Sequence, residues 1–174
     1  MRRAVLTAIV ALLLLPAGAL ANSWHTFSSK QYGFTVRYPS SWTITAEYQP
    51  GSWQLTSTGH SARFSLTIAV LPIKAGRSLA DLKRRFIGYE RASGNAEVAG
   101  VRWSSSWLGG KPALEGILTL STEGGAPVTN GIYVAASRSR VYQMTLVSIG
   151  KARPASVAQF PPIYGQIVAT WRFR

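Results

Sequence analysis

Residues 32–42 read YGFTVRYPSSW. Phe34, Val36 and Tyr38 alternate with Thr35 and Arg37, the period-two pattern of a half-buried strand. Pro39 has no amide donor and ends that strand, and Ser40-Ser41 turns the chain into a second one, from Trp42 to Ala46. The stretch is dense in aromatic rings and carries almost nothing that can do chemistry. Residue types suited to catalysis are scarce along the whole chain.

Outward from this stretch, strand signals follow one another. Trp53 to Ser57 reads as a weaker strand closed by Thr58-Gly59-His60. Phe64, Leu66, Ile68 and Val70 give the cleanest alternation. The period then changes. Ser78 fits a helix N-cap, with Asp81 three residues on at the acidic position of a capping box. Leu79, Leu82, Phe86 and Tyr89 form an apolar stripe at about 100° per residue, suited to lying on a sheet. Ser93-Gly94-Asn95 ends the helix. Val98 to Trp107 reads as a strand before a Leu108–Pro112 turn, Ala113 to Thr122 as its partner, and Gly124-Gly125 as a hairpin turn into Val128 to Ala136. Ser137-Arg138-Ser139-Arg140 turns the chain again into Val141 to Ile149. Pro162 suits the first position of a closing helix carrying Ile163, Tyr164, Ile167, Val168 and Trp171, followed by an extended tail through Phe173. Hairpins are many and crossovers few, which predicts an α+β fold: a mainly antiparallel sheet covered by helices.

The N-terminus has a different purpose. Arg2 and Arg3 precede an apolar run from Ala4 to Leu15, and residues 16–21 end in a small-x-small pattern, so residues 1–21 read as a signal peptide cleaved after Ala21. Twelve helical residues would cover only about 18 Å, short of a hydrocarbon core of about 30 Å. The mature chain, residues 22–174, is then a single domain that is periplasmic or secreted. It has no Cys, so packing alone must hold it, and six Trp, seven Tyr and six Phe supply the area. Loss of Arg2 and Arg3 lowers the formal charge of +13 by two, to +11. Such a surface attracts an anionic envelope component or an acidic protein. An exported chain seldom meets nucleic acid, which makes that partner unlikely on compartment alone.

The opening stretch resembles the start of a PsbP-like domain. The form Tyr-Gly-Phe-x-Val-x-Tyr-Pro-x-x-Trp is met at Tyr32, Gly33, Phe34, Val36, Tyr38, Pro39 and Trp42. Ile163 to Phe173 is similar to that family's closing helix and short hydrophobic strand, and the order of elements between also fits. The resemblance implies an α/β/α sandwich around an antiparallel sheet, with Phe34, Tyr38 and Trp42 structural and locking the first hairpin into the core. It also implies a role in binding or stabilising a partner rather than in catalysis. No functional site carries over residue by residue.

The remaining candidates are few. His25 and His60 are the only histidines and Asp81 the only Asp. A Ser-His-acid site or a zinc site is therefore poorly supplied, and His25 and His60 read as loop residues. No cofactor is implied. Glu115, in mid-strand, reads as a partner for an Arg or as a carboxylate in a cleft. Lys83, Arg84 and Arg91 form a basic helix face. Arg102, Trp103 and Trp107 form an aromatic-basic set whose two indoles share one strand face. The leading expectation is a non-enzymatic exported binding or accessory domain, acting through a basic surface or a sheet-edge cleft. The alternative is a small-ligand or polysaccharide binder using Trp103 and Trp107, and a hydrolase comes third.

Overall fold

A computed structural model of the protein describes residues 23–45, 50–57, 64–120, 128–149 and 160–174. The predicted signal peptide and the turns expected at 58–60 and 124–125 lie outside these residues. Ten strands and two helices are described: β1 (Trp24–Ser29), β2 (Phe34–Pro39), β3 (Trp42–Thr45), β4 (Ser52–Ser57), β5 (Phe64–Leu71), α1 (Leu79–Ala92), β6 (Trp103–Leu108), β7 (Lys111–Leu120), β8 (Val128–Ser137), β9 (Arg140–Ile149), α2 (Pro162–Ala169) and β10 (Arg172–Phe173). Seven strands make one antiparallel sheet in the order β3-β4-β5-β9-β8-β7-β6, and three make a second in the order β1-β2-β10. Helix α1 covers one face of the large sheet. The small sheet and α2 cover the other, so the architecture is α+β in three layers.

The alternation read in the opening stretch is real. Phe34 and Val36 are fully buried, with Tyr38 at the same face, while Arg37 is exposed. The expected hairpin between this strand and Trp42 is not formed. β2 pairs with β1 and with the C-terminal β10, whereas β3 pairs with β4 in the other sheet. Pro39 offers no donor to continue a ladder, so Ser40-Ser41 carries the chain from one layer to the next. β1 itself was not expected. His25, read as a loop residue, lies opposite Tyr38 in register with its ring 5.7 Å from the tyrosine's.

The larger core lies between the two sheets. Phe34 stacks on Trp171 at 4.5 Å and 4°, with the edges of Trp53 and Tyr142 closing around it. The Trp171 indole N–H is buried with no partner among the described residues. β6 and β7 are joined by the two-residue turn Gly109-Gly110, both residues at positive φ. A side chain at Gly109 would begin 2.5 Å from Trp171, so glycine is required there by space as well as by conformation. Tyr164 of α2 donates to the Val147 and Ser65 carbonyls at 2.8 and 3.1 Å, tying helix to sheet. Its burial pushes the phenol pKa well up.

The smaller core lies under α1, with Leu82 and Phe86 buried and Leu79 and Tyr89 packed beside them. Ser78 caps the helix, its Oγ accepting from the Asp81 amide at 3.2 Å. Asp81 reaches back one residue further than a standard capping box, accepting from the Arg77 amide at 3.2 Å. Beyond α1 the expected strand from Val98 begins only at Trp103. Residues Ala96–Gly100 form a 3-10 turn instead. Val98 and Val101 are both buried, and a spacing of three brings them to one side of a helix with three residues per turn.

Candidate functional site: a basic cleft at one end of the sandwich

Three segments meet at one end of the molecule: the turn after β1, the β8–β9 turn and the chain's last residue. Tyr32 and Gly33, on the first turn, are held by the Tyr142 hydroxyl, which donates to the Tyr32 carbonyl at 2.6 Å. Gly33 has φ +71 and donates its amide to the Ser29 carbonyl at 2.8 Å. Its carbonyl accepts from the Arg174 amide at 2.8 Å, fixing where the C-terminal side chain begins. The β8–β9 turn presents Arg138, Ser139 and Arg140, all exposed. The Arg140 guanidinium lies over the Tyr32 ring at 5.6 Å, a cation–π contact that limits its orientation. Together they enclose a cleft of about 170 Å³. Across the Tyr32–Arg140 wall lies a larger groove of about 510 Å³, lined in part by Val70, Leu71, Pro72 and Tyr89.

Arg138 is held at φ 57, the left-handed region. For a residue with a side chain this costs about 1–2 kcal/mol. Glycine or asparagine would fill the turn with less strain, yet an arginine stands there, lining the cleft together with Arg140 and Arg174.

Part of the cationic character of the surface follows from where three of the six acids stand: Asp81, Glu90 and Glu115 are each held in a contact within the chain. Among the described residues the two ion pairs are Arg84–Asp81 at 2.8 Å and Arg85–Asp81 at 3.1 Å, so one carboxylate holds two arginines. The Arg84 hydrogen bond and then the Arg85 one lower the Asp81 pKa to about 2. Glu90 is buried and accepts from Asn95 Nδ2 at 2.6 Å. Glu115 forms no ion pair with an arginine among the described residues. It accepts from the Ser106 hydroxyl at 3.0 Å and bonds the Tyr133 phenol, whose pKa is pushed up first by burial and then by the Glu115 charge.

The residues singled out from sequence fall in different places. Lys83, Arg84 and Arg91 lie on α1, with Arg84 and Arg91 exposed and Arg84 drawn to Asp81. Arg102 is exposed just before β6. Trp103 packs under α1, edge-on to Phe86 at 5.5 Å. Trp107 is 67% exposed, the exposed large hydrophobic residue among those described. The two indoles share a sheet face, but the helix covers only one of them. Tyr32, Gly33, Phe34, Tyr38 and Pro39 lie along the small sheet and the turn before β2, while Trp42 opens β3 of the large sheet. Phe34, Tyr38, Pro39 and Trp42 are buried, while Tyr32 is half-buried and forms the wall of the cleft. His60 lies outside the described residues, and no three His, Cys, Asp or Glu side chains come together among those described. Sequence reading missed Arg138, Arg140 and Arg174 as a group. The signal available was two arginines in one predicted hairpin turn and a third in the Arg-Phe-Arg ending.

The fold is PsbP-like. The solution structure of cyanobacterial PsbP (CyanoP) from Synechocystis sp. PCC 6803 superposes with a TM-score of 0.61 over 92% of this chain and 99% of that one, at 14% identity. A crystal structure of a Bacteroides thetaiotaomicron VPI-5482 protein matches with a TM-score of 0.57 and 16% identity, over 86% of this chain and 48% of that one. The chain thus spans about half the length of the Bacteroides protein. No protein-family profile and no curated protein matches the sequence. The fold implied by the resemblance of the opening stretch is therefore the one observed, at an identity that conveys architecture alone.

Proposed function

We propose that this chain is an exported, non-enzymatic binding or accessory domain that engages an anionic partner through its basic surface. The observation that carries this reading is the division of charge. A mature chain of net charge +11, the full +13 less Arg2 and Arg3, holds Asp81, Glu90 and Glu115 in contacts within the chain, and leaves Arg91, Arg102, Arg138, Arg140 and Arg174 exposed outside the ion pairs found among the described residues. A surface so biased raises the local concentration of anions and steers them inward. The signal-like residues 1–21 support an encounter in the periplasm or outside the cell, with residues 22–174 acting as one domain. The partner is then an anionic envelope polymer or an acidic protein. No helix among the described residues is long and apolar enough to cross a membrane.

Reversal of two exposed arginines on α1 tests the reading. Arg84→Glu with Arg91→Glu should weaken binding to a soluble anionic polysaccharide such as heparin, while stability falls by no more than about 1 kcal/mol, the scale of losing the exposed Arg84–Asp81 pair and setting a like charge beside Asp81. Binding that survives the double reversal and is indifferent to salt contradicts the reading.

A further inference from the structure

We propose that the cleft between the β1–β2 turn, the β8–β9 turn and the C-terminal residue is a discrete seat for a phosphate monoester. The guanidinium groups of Arg138, Arg140 and Arg174 would share the charge and Ser139 would add a hydroxyl. This deepens the proposed function and rests on it in requiring an anionic partner, but it names one site and one ligand chemistry.

Concavity sets the place apart from the rest of the basic surface. The arginines that line the cleft come from two distant parts of the chain and border about 170 Å³. At roughly 30 Å³ per water in the liquid, that space is equivalent to about six waters, enough for a tetrahedral oxyanion and the start of its substituent. Planar guanidinium forks match phosphate oxygens two at a time. A phosphate monoester carries a charge of about −1.5 to −2 near neutral pH, which suits several converging cations better than a single carboxylate does.

The walls are fixed in advance. Tyr142, itself buried, pins Tyr32 through its 2.6 Å hydrogen bond, and Tyr32 in turn carries Arg140 on its ring. The Arg174 amide is fixed on Gly33. Arg138 occupies a left-handed turn position that a shorter residue would take with less strain, and strained residues kept at such positions cluster at ligand sites. Beyond the Tyr32 wall the 510 Å³ groove, with Val70, Leu71 and Tyr89, offers room for the apolar remainder of an ester.

The experiment titrates the full chain with phenyl phosphate by calorimetry, with benzoate as the carboxylate probe. Phosphatidic acid in phosphatidylcholine vesicles is the lipid-borne form of the same group. The expected result is saturable binding of one phenyl phosphate per chain. Affinity should fall at least tenfold in Arg138→Asn, a change that relaxes the turn and should leave folding intact, and likewise in Arg174→Gln. Vesicle binding that shows the same dependence on Arg138 identifies a lipid-borne phosphate; phenyl phosphate binding without it identifies a soluble ester. Equal binding of benzoate, non-saturable binding, or indifference to Arg138→Asn and Arg174→Gln overturns the proposal. If heparin binds and phenyl phosphate does not, the seat alone is refuted. If neither binds, the general reading fails with it.

Discussion

Replacing Phe34 with Ala tests how the two layers are held together. The ring is fully buried, stacked at 4.5 Å on Trp171 and met edge-on by Trp53 and Tyr142 at 5.4 and 6.0 Å. Truncating a buried Phe to Ala costs about 3–5 kcal/mol, more where the surroundings cannot collapse into the void. These neighbours are large planar rings, and Trp171 is held close against Gly109, so the upper half of that range applies. Each lost aromatic pairing contributes about 0.5–1.5 kcal/mol beyond burial, part of which the truncation figure already contains. With a midpoint shift of about 2–4 °C per kcal/mol for a chain of this size, melting should fall by roughly 8–20 °C. Circular dichroism in the near ultraviolet, where these rings dominate, should follow the loss alongside the far-ultraviolet melt. Phe34→Leu should lose much less, since most of the volume remains. A Phe34→Ala midpoint within about 2 °C of the parent would refute the account of this core.

Two further substitutions test separate claims. Gly109→Ala places a methyl 2.5 Å from Trp171 at φ 57, and overpacking together with a left-handed residue should cost at least about 2 kcal/mol by urea unfolding; a neutral result would mean the turn can shift. Asp81 has its pKa lowered from 3.8 to about 2, so its ionised form is favoured in the folded state. Its contribution is present in full above the unfolded value and is lost as pH falls through the folded one. Acid titration of stability should therefore show a component between pH 4 and 2 that is missing in Asp81→Asn, and identical curves would dissociate the pairing from stability.

Much of the fold was legible because its elements carry local signatures. Alternation marked β2 and β5, the Ser78 cap and the apolar stripe marked α1, and Pro162 marked the start of α2. What was misread depended on partners distant in sequence. Pro39-Ser40-Ser41 has the chemistry of a turn, but whether a turn closes a hairpin or changes layers is decided by β10, more than a hundred residues away. Periodicity placed Trp103 and Trp107 on one face correctly, yet only the reach of α1 decides that one is covered and the other bare. The cleft was hidden for the same reason. Residue spacing shows which way a side chain points, not which strand ends meet, so Arg138 and Arg140 could not be joined to Arg174 and Tyr32 before the sheets were assembled.

The most direct measurement of the central claim is a map of backbone amide shifts as the chain is titrated with a soluble polyanion at two salt concentrations. Binding through the basic surface predicts perturbations at Arg138, Ser139, Arg140, Arg174 and the exposed arginines of α1. It also predicts an affinity that falls steeply between about 0.05 and 0.2 M salt, as neutralised charges on a polyanion require. Perturbations centred on Trp107, with an affinity unchanged by salt, would contradict it.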